Sequence, residues 1–183
     1  MKKNLTKALL ATLIATAPLA ANEYSYNANS LFALEGGYAS MNETGAGGSG
    51  IQPDNFGSYG LKIGAETQDY RIFVTANYLD INNFDYAYTY GVALQYKFNF
   101  TQKVNFFLGA NGGYADMKLS KGTSVNSGKS ISDTYFGGDA GFNFHASELV
   151  DLELGGRMFK VNNDLVDNIV TGYASVIIKY QMD

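Results

Sequence analysis

Residues 86–100 read YAYTYGVALQYKFNF, and this stretch carries the pattern that decides the fold. Every even-numbered position from Tyr86 to Phe100 is tyrosine, valine, leucine or phenylalanine. The odd-numbered positions between them hold only small or polar residues, including Gly91, Gln95 and Lys97. A period of two is typical of a β-strand, because successive side chains of a strand point to opposite faces of the sheet. The stretch therefore predicts a long strand with one apolar, aromatic face and one polar face.

The same alternation recurs along the chain and predicts eight strands. The runs cover residues 31–41, 58–66, 70–79, 86–100, 104–117, 134–145, 150–159 and 169–182. One parity of each run is apolar, and no charge interrupts these apolar rows before Asp116, at the end of the fifth run.

The opposite parity carries the other strand charges. They are five acids and five bases: Glu35, Glu66, Asp139, Asp151, Glu153, Lys62, Arg71, Lys97, Arg157 and Lys179. A balanced set is expected if these groups share one enclosed space and pair within it. Nine glycines share this parity: Gly37, Gly60, Gly64, Gly91, Gly109, Gly113, Gly137, Gly141 and Gly155. Glycine gives room in a narrow barrel, so this face is predicted to point into a lumen lined by an ion-pair network.

Two architectures have eight alternating strands. A soluble ligand-binding barrel turns its apolar face inward, whereas a membrane barrel turns it outward to lipid, between girdles of aromatic residues. Aromatic residues lie near both ends of the apolar rows, and a charge at mid-bilayer costs about 2–4 kcal/mol, which explains a face free of charge. The predicted upper girdle is Tyr38, Tyr59, Tyr78, Tyr86 and Tyr114, and the lower is Phe32, Tyr70, Phe98, Phe100, Phe144 and Tyr180. The pattern favours an all-β, eight-stranded, antiparallel, up-and-down transmembrane barrel.

The connections between these runs alternate in length. The longer ones are 42–57, 80–85, 118–133 and 160–168, and the short ones are 67–69, 101–103 and 146–149. Outer-membrane barrels have short periplasmic turns and longer external loops. We therefore predict that the four longer connections are extracellular and that both termini are periplasmic.

The first 21 residues, MKKNLTKALLATLIATAPLAA, predict a cleaved secretory signal peptide. Three lysines precede an apolar run, and small residues follow it. A membrane anchor is the alternative, but the apolar run is shorter than the roughly 20 residues that a spanning helix needs. The predicted organisation is a signal peptide at 1–21, a short periplasmic segment at 22–30 and an outer-membrane barrel at 31–183.

The composition excludes several classes of function. The net charge of −4 argues against binding of nucleic acid, for which a basic surface is typical. The absence of cysteine excludes disulfides, thiolate zinc sites and cysteine nucleophiles, and the single histidine, His145, cannot form a site with several histidines. We predict no cofactor and no metal.

Two groups of residues invite a catalytic interpretation. His145 and Ser147 are two apart, with Glu148 and Glu153 nearby, and they resemble superficially the His-x-Ser element of lipid A deacylases. However, His145 has the lumen parity and lies at the periplasmic end of its strand, away from outer-leaflet lipid. Asp151 and Glu153 share a face as an acid and base could, yet Arg157, Lys179 and Lys62 are expected to pair with them. We predict no catalytic residue.

The chain resembles the small eight-stranded outer-membrane barrels, namely the OmpA-like transmembrane domain and the opacity-type porin-like family. The resemblance covers residues 31–183 and includes Tyr96-Lys97-Phe98 before a tight turn and Phe107-Leu108-Gly109-Ala110 before Gly113-Tyr114. It implies contact with lipid, lipopolysaccharide and the barrel assembly machinery, and a monomer. The chain ends in Met182-Asp183 rather than in the usual terminal aromatic, a departure that bears on the insertion signal.

Three functions follow from this resemblance and from the residues, in order of preference. The first is a structural or surface-exposed role of the adhesion or antigen type, without catalysis. The second is a narrow porin-like channel for ions or small solutes, and the third is a lipid A-modifying enzyme. A host-surface ligand would meet the loops at 42–57 and 118–133, the second of which carries Lys118, Lys121 and Lys129.

Overall fold

The computed structural model describes residues 28–42, 55–82, 84–120, 130–163, 166 and 168–180. They form eight strands: β1 Asn29–Asn42, β2 Asn55–Glu66, β3 Tyr70–Asp80, β4 Phe84–Asn99, β5 Val104–Leu119, β6 Ser130–His145, β7 Val150–Val161 and β8 Asn168–Tyr180. Each strand pairs antiparallel with the next, and β8 pairs with β1 to close the barrel. The predicted eight-stranded antiparallel up-and-down barrel is confirmed. No helix in the described ranges is long and apolar enough to cross a membrane.

The barrel has two ends, which we name by their connections. The turn end carries 67–69, 100–103 and 146–149, and the loop end carries 43–54, 81–83, 120–129 and 162–167. The prediction of a longer connection at 80–85 is wrong, because only 81–83 separate β3 from β4. Ile81 faces inward and is buried, and its carbonyl accepts a hydrogen bond of 3.3 Å from the amide of Phe84, so the strands continue almost to the turn.

The N-terminal boundary of the barrel also differs from the prediction. Asn29 and Ser30, predicted to lie in a periplasmic segment, belong to β1 and pair with Glu66 and Ala65 of β2. The predicted signal peptide at 1–21, most of the 22–30 segment and the terminal residues 181–183 lie outside the described residues.

The middle of the barrel is apolar outside and charged inside. Outward-facing Leu34, Leu94 and Leu154 are each more than half exposed, whereas inward-facing Lys62 and Glu153 are 1% and 0% exposed. Exposed apolar residues on this scale differ from the surface of an ordinary water-soluble protein, where charged side chains face the solvent and apolar side chains form the core.

Two kinds of close contact explain why the inward-facing positions of the barrel hold glycine. At Gly64 and Gly113 an added Cβ would collide with backbone carbonyl oxygens of the neighbouring strand, at Ile72 and Tyr90 respectively. At Gly155 it would lie 2.7 Å from the Tyr173 ring, so there the glycine makes space for a facing side chain. The prediction that glycine relieves crowding of side chains therefore holds for Gly155, whereas at Gly64 and Gly113 the backbone of the neighbouring strand lies too close for a side chain.

Candidate functional site

The charged side chains of the lumen form one connected network, which extends from the middle of the barrel to the turn end. Arg157 binds Glu35 through two parallel bonds of 3.0 and 3.1 Å. Glu35 also contacts Lys62 at 2.8 Å, and Lys62 contacts Glu153 at 2.9 Å. Arg71 continues the chain, 2.9 Å from Glu153. All five side chains are at least nine-tenths buried, so each charge depends on its partners rather than on water.

The network continues to the rim of the turn end. Arg71 lies 3.1 Å from Glu66 and 3.6 Å from Asp151. Lys97 binds Glu66 at 2.9 Å, and Lys179 binds Asp151 at 2.9 Å. Lys62 and Lys179 are thus partners of Glu153 and Asp151, as the sequence suggested. Arg157 was expected to pair with these two carboxylates but binds Glu35 instead. Arg71 contacts both Glu153 and Asp151 in its place.

Asp139 departs from the predicted network. It is 3% exposed, yet no basic group of the described residues lies within ion-pair distance of it, although Arg157 is its register partner on β7. Its Oδ2 accepts hydrogen bonds from Gln95 Nε2 at 2.6 Å and from the Tyr173 hydroxyl at 3.5 Å. The structure therefore brings together nine of the ten predicted lumen charges and leaves Asp139 in a separate polar environment.

His145 and Ser147 do not contact each other among the hydrogen bonds of the described residues. His145 Nδ1 lies 2.8 Å from Asp151 Oδ1, and its Nε2 lies 3.2 Å from Asn105 Nδ2. Ser147 Oγ accepts bonds from the backbone amides of Leu149 and Val150, which stabilises the turn between β6 and β7. Both residues thus have structural partners at the turn end. No group of three or more His, Cys, Asp or Glu suited to a metal occurs in the described part of the chain.

The polarity of the barrel inverts near the loop end. On β5, Ala115, Met117 and Leu119 face inward with at most 1% exposure, while Asp116 and Lys118 face outward. We call the inward apolar cluster the collar core; it comprises Ala39, Met41, Phe56, Leu79, Ile81, Ala87, Ala115, Met117, Leu119, Ile131, Tyr135, Phe159, Val161, Val166 and Ile169. This part of the barrel has the polarity of a water-soluble protein, with an apolar interior and a polar surface.

Sequence reasoning missed the collar core because it treated each strand face as uniform. The signal was present at residues 115–119, where Asp116 and Lys118 appear on the otherwise apolar parity while Met117 and Leu119 appear on the polar one. Such a switch within one strand is expected where a membrane barrel passes from lipid to water, since the outward face follows the solvent.

We expect polar substitution in the collar core to destabilise the barrel. Met117→Asn would bury an amide without a partner, which costs about 1–3 kcal/mol in protein mutational data. Asp116→Asn, one residue away on the outward face, should change the free energy of unfolding little. Urea unfolding of the two variants in lipid vesicles measures this contrast, and equal losses would contradict the assignment of the collar core.

Aromatic residues ring the barrel at the borders of the apolar outer band. The strand registers place Tyr59 beside Tyr78 and Tyr78 beside Tyr88 towards the loop end, and Tyr70 beside Tyr96 towards the turn end. Of the predicted girdle residues, Tyr38, Tyr59, Tyr78, Tyr114, Tyr70, Phe98, Phe100, Phe144 and Tyr180 are exposed, and Tyr86 and Phe32 are partly exposed. Phe100 follows β4 rather than ending it.

The registers add residues that the sequence did not assign to the girdles. Tyr78, Tyr86, Tyr88 and Tyr90 form a series of neighbouring rings, with centroids 5.4 to 6.3 Å apart. Phe98, Phe106 and Phe142 form a similar series across β4, β5 and β6. The position of a residue along the barrel axis depends on how its strand pairs with its neighbours. Alternation along a single strand does not reveal this pairing, so these girdle residues could not be assigned from the sequence.

Comparison with solved structures identifies the architecture. The chain superposes on Neisserial surface protein A with a TM-score of 0.69 and 19% identity, over 84% of this chain and 99% of that one. It superposes on the Yersinia pestis attachment invasion locus protein Ail, solved with the heparin analogue sucrose octasulfate, with a TM-score of 0.56 and 13% identity, over 84% and 99% of the two chains. The N-terminal barrel of Pseudomonas aeruginosa OprF gives a TM-score of 0.56 and 14% identity, over 83% and 98%.

The chain has the fold of the small eight-stranded outer-membrane β-barrels. This confirms the resemblance inferred from the alternation, the strand count and the tight turns. No family model matches the sequence, and no curated protein matches it. Within this small outer-membrane barrel fold, the candidate functional features of the chain are the lumen network, the collar core and the two aromatic rings.

Proposed function

We propose that this protein is an integral outer-membrane barrel with a structural or surface-exposed role and no catalysis. The observation that carries the proposal is the inversion of polarity at the tyrosine ring nearest the loop end. Below that ring the outward face is apolar, which suits lipid, and the lumen holds the buried charges beside a smaller apolar cluster of Leu31, Ala33, Phe73, Ala93 and Ile177. Above the ring the outward face is polar and the interior apolar, which suits water. A barrel lying wholly in water or wholly in lipid would need only one of these arrangements.

The proposed orientation places the loop end outside the cell and both termini in the periplasm. It rests on the general rule that outer-membrane barrels carry their longer loops externally, here 43–54 and 120–129. Lipid and lipopolysaccharide are then the immediate surroundings, the barrel assembly machinery inserts the chain, and the protein is a monomer. A host-surface ligand would meet those two loops, whose residues 43–54 and 121–129 lie outside the described residues.

A narrow channel is the second candidate, and one observation favours it. Glu35 contacts both Arg157 and Lys62, so exchange of partners within the network could rearrange the lumen without a large movement. The collar core opposes conduction, because Met41, Met117 and Ile131 are buried in the same lumen at the loop end. A wall of apolar side chains excludes ions unless it opens.

Planar-bilayer recording of the refolded protein decides between these two candidates. We expect no steady openings from a correctly folded barrel, and heat-modifiable mobility on a gel provides the folding control. Steady openings whose conductance changes on Arg157→Gln would overturn the proposed structural role in favour of the channel.

A His145→Ala variant tests the absence of catalysis. We expect cells producing the wild-type protein, cells producing the variant and cells producing neither to have the same lipid A, as measured by mass spectrometry. His145 bonds Asp151 and Asn105 at the turn end, far from the outer leaflet in the proposed orientation. A change in lipid A that depends on His145 would contradict the proposal.

A further inference from the structure

Three titratable side chains meet at the turn end of the lumen: His145 of β6, Asp151 of β7 and Lys179 of β8. His145 Nδ1 lies 2.8 Å from Asp151 Oδ1, and Lys179 Nζ lies 2.9 Å from the same oxygen. Nδ1 and Nζ are 3.2 Å apart, so the imidazole ring and the ammonium share one acceptor. The His145 side chain is 27% exposed, which lets it exchange protons with the surrounding water.

The contact with Asp151 determines which ring nitrogen of His145 carries the proton when the ring is neutral. A carboxylate only accepts hydrogen bonds, so Nδ1 must supply the hydrogen that lies between it and Asp151. Nε2 is then an acceptor, and Asn105 Nδ2 donates to it at 3.2 Å. Lys179 cannot donate to Nδ1 in this tautomer, so its bond to Asp151 holds it beside the ring.

A second proton on the ring would change the contacts on both sides of it. The imidazolium keeps its bond to Asp151, but its charge then lies next to the Lys179 ammonium, and like charges at this distance repel. On the other side, Nε2–H would face the amide of Asn105. The buried Oδ1 of Asn105 has no partner among the described residues, and a half-turn of the amide lets it accept the new bond.

Lys179 has a second carboxylate within reach. Its Nζ lies 3.6 Å from Glu66 Oε1. Arg71 and Lys97 both bind Oε2 of Glu66, at 3.1 and 2.9 Å. The Lys179 ammonium can therefore approach Oε1 without displacing either of them.

Asp151 keeps other partners when Lys179 leaves it. Asn143 of β6 donates to Asp151 Oδ2 at 2.8 Å, and Arg71 of β3 lies 3.6 Å from the same oxygen. The charged residues of the adjoining turns, Lys103 and Glu148, are exposed, so water and salt screen their effect on the ring.

We propose that His145 is a pH-sensitive switch at the turn end of the lumen, whose protonation displaces Lys179 from Asp151 towards Glu66. Histidine is the side chain that ordinarily changes its charge between pH 5 and pH 8. One ammonium moves between two carboxylates that already lie within ion-pair distance, so the exchange requires no movement of the strands. In the proposed orientation this end of the barrel faces the periplasm, and the switch responds to periplasmic pH whether or not the barrel conducts.

Nitrogen-15 NMR of the refolded, isotope-labelled protein tests the proposal, because a single histidine gives a single set of ring signals. We expect a neutral ring protonated on Nδ1 at pH 8 and an imidazolium at pH 5. Over this interval the cross-peak between the Lys179 side chain and the His145 ring should weaken, and the cross-peak between Lys179 and Glu66 should strengthen. The side-chain amide signal of Asn105 should shift with the same midpoint as the ring.

His145→Gln and Glu148→Gln form a matched pair of variants. His145→Gln removes the titrating ring and should abolish the movement of Lys179 between the two pH values. Glu148→Gln removes an exposed carboxylate of the adjoining turn and should leave that movement unchanged. None of these measurements depends on the orientation of the barrel or on its role in the membrane.

Four results would overturn the proposal. They are a neutral ring that carries its proton on Nε2, a ring that stays neutral at pH 5, a protonated ring that leaves the Lys179 cross-peaks unchanged, and a movement of Lys179 that persists in His145→Gln. The first three are measured on the wild-type protein, so they decide the outcome even if His145→Gln fails to fold.

Discussion

Replacing Leu94 with arginine should lower the free energy of unfolding of the barrel in lipid by about 2–4 kcal/mol. Leu94 faces outward, is 53% exposed and lies between Ile72 and Ala110 of the neighbouring strands, within the apolar outer band. Arginine at this depth would place a charge in hydrocarbon, where few groups can solvate it. Urea titration in lipid vesicles, followed by intrinsic tyrosine fluorescence or by gel mobility, measures the loss.

The matched control is Ser132→Arg, on the outward face near the loop end. Ser132 pairs with Asp116 of β5, beyond the tyrosine ring. Charged substitutions near the interface cost only about 0–1 kcal/mol, so this variant should unfold close to the wild type. Equal losses at Leu94 and Ser132 would contradict the proposed position of the membrane.

Arg71→Met should cost about 3–5 kcal/mol, because it leaves buried carboxylates without a partner. Arg71 is 1% exposed and contacts Glu66, Asp151 and Glu153, so its removal affects three negative groups at once. Methionine retains an apolar stem like that of arginine, so the loss reports chiefly on the missing guanidinium group and its ion pairs. The same urea titration measures it.

Lys118→Met is the control for a charge that water can still solvate. Lys118 lies 3.2 Å from Asp85, and both side chains are more than a third exposed. Pairs of this kind contribute about 0–1 kcal/mol. A loss at Arg71 no larger than the loss at Lys118 would show that the lumen is well hydrated and that its charges are not held by their ion pairs.

The fold could be predicted from the sequence because barrels of this kind obey a simple rule on each strand, with apolar side chains outward and polar side chains inward. The alternation in residues 86–100 depends only on which side chains face outward, because a charged side chain on the lipid face of such a barrel costs about 2–4 kcal/mol at mid-bilayer. Local information is therefore sufficient to find the strands and to separate the two faces. The same rule separates the ten lumen charges from the outward face, although it does not specify their partners.

Features that depend on pairing between strands could not be predicted in this way. The binding of Arg157 to Glu35, 122 positions apart in the chain, and the isolation of Asp139 beside its register partner depend on barrel closure and on side-chain reach. The connection between β3 and β4 is shorter than predicted because β3 extends to Asp80 and β4 begins at Phe84, while Ile81 packs in the collar core. The switch of polarity within β5 is visible in the sequence. Recognising it requires the assumption that the surroundings of one strand change from lipid to water along its length.

The most direct test of the central claim is a scan of solvent accessibility along the outward face of β5. The chain has no native cysteine, so a single cysteine can be placed in turn at Leu108, Ala110, Asp116 and Lys118 and spin-labelled in lipid vesicles. We predict that labels at Leu108 and Ala110 collide with oxygen, which concentrates in hydrocarbon, and that labels at Asp116 and Lys118 collide with a water-soluble nickel complex. Ready access of the nickel complex to Leu108 and Ala110 would contradict the claim that this band of the barrel lies in the membrane.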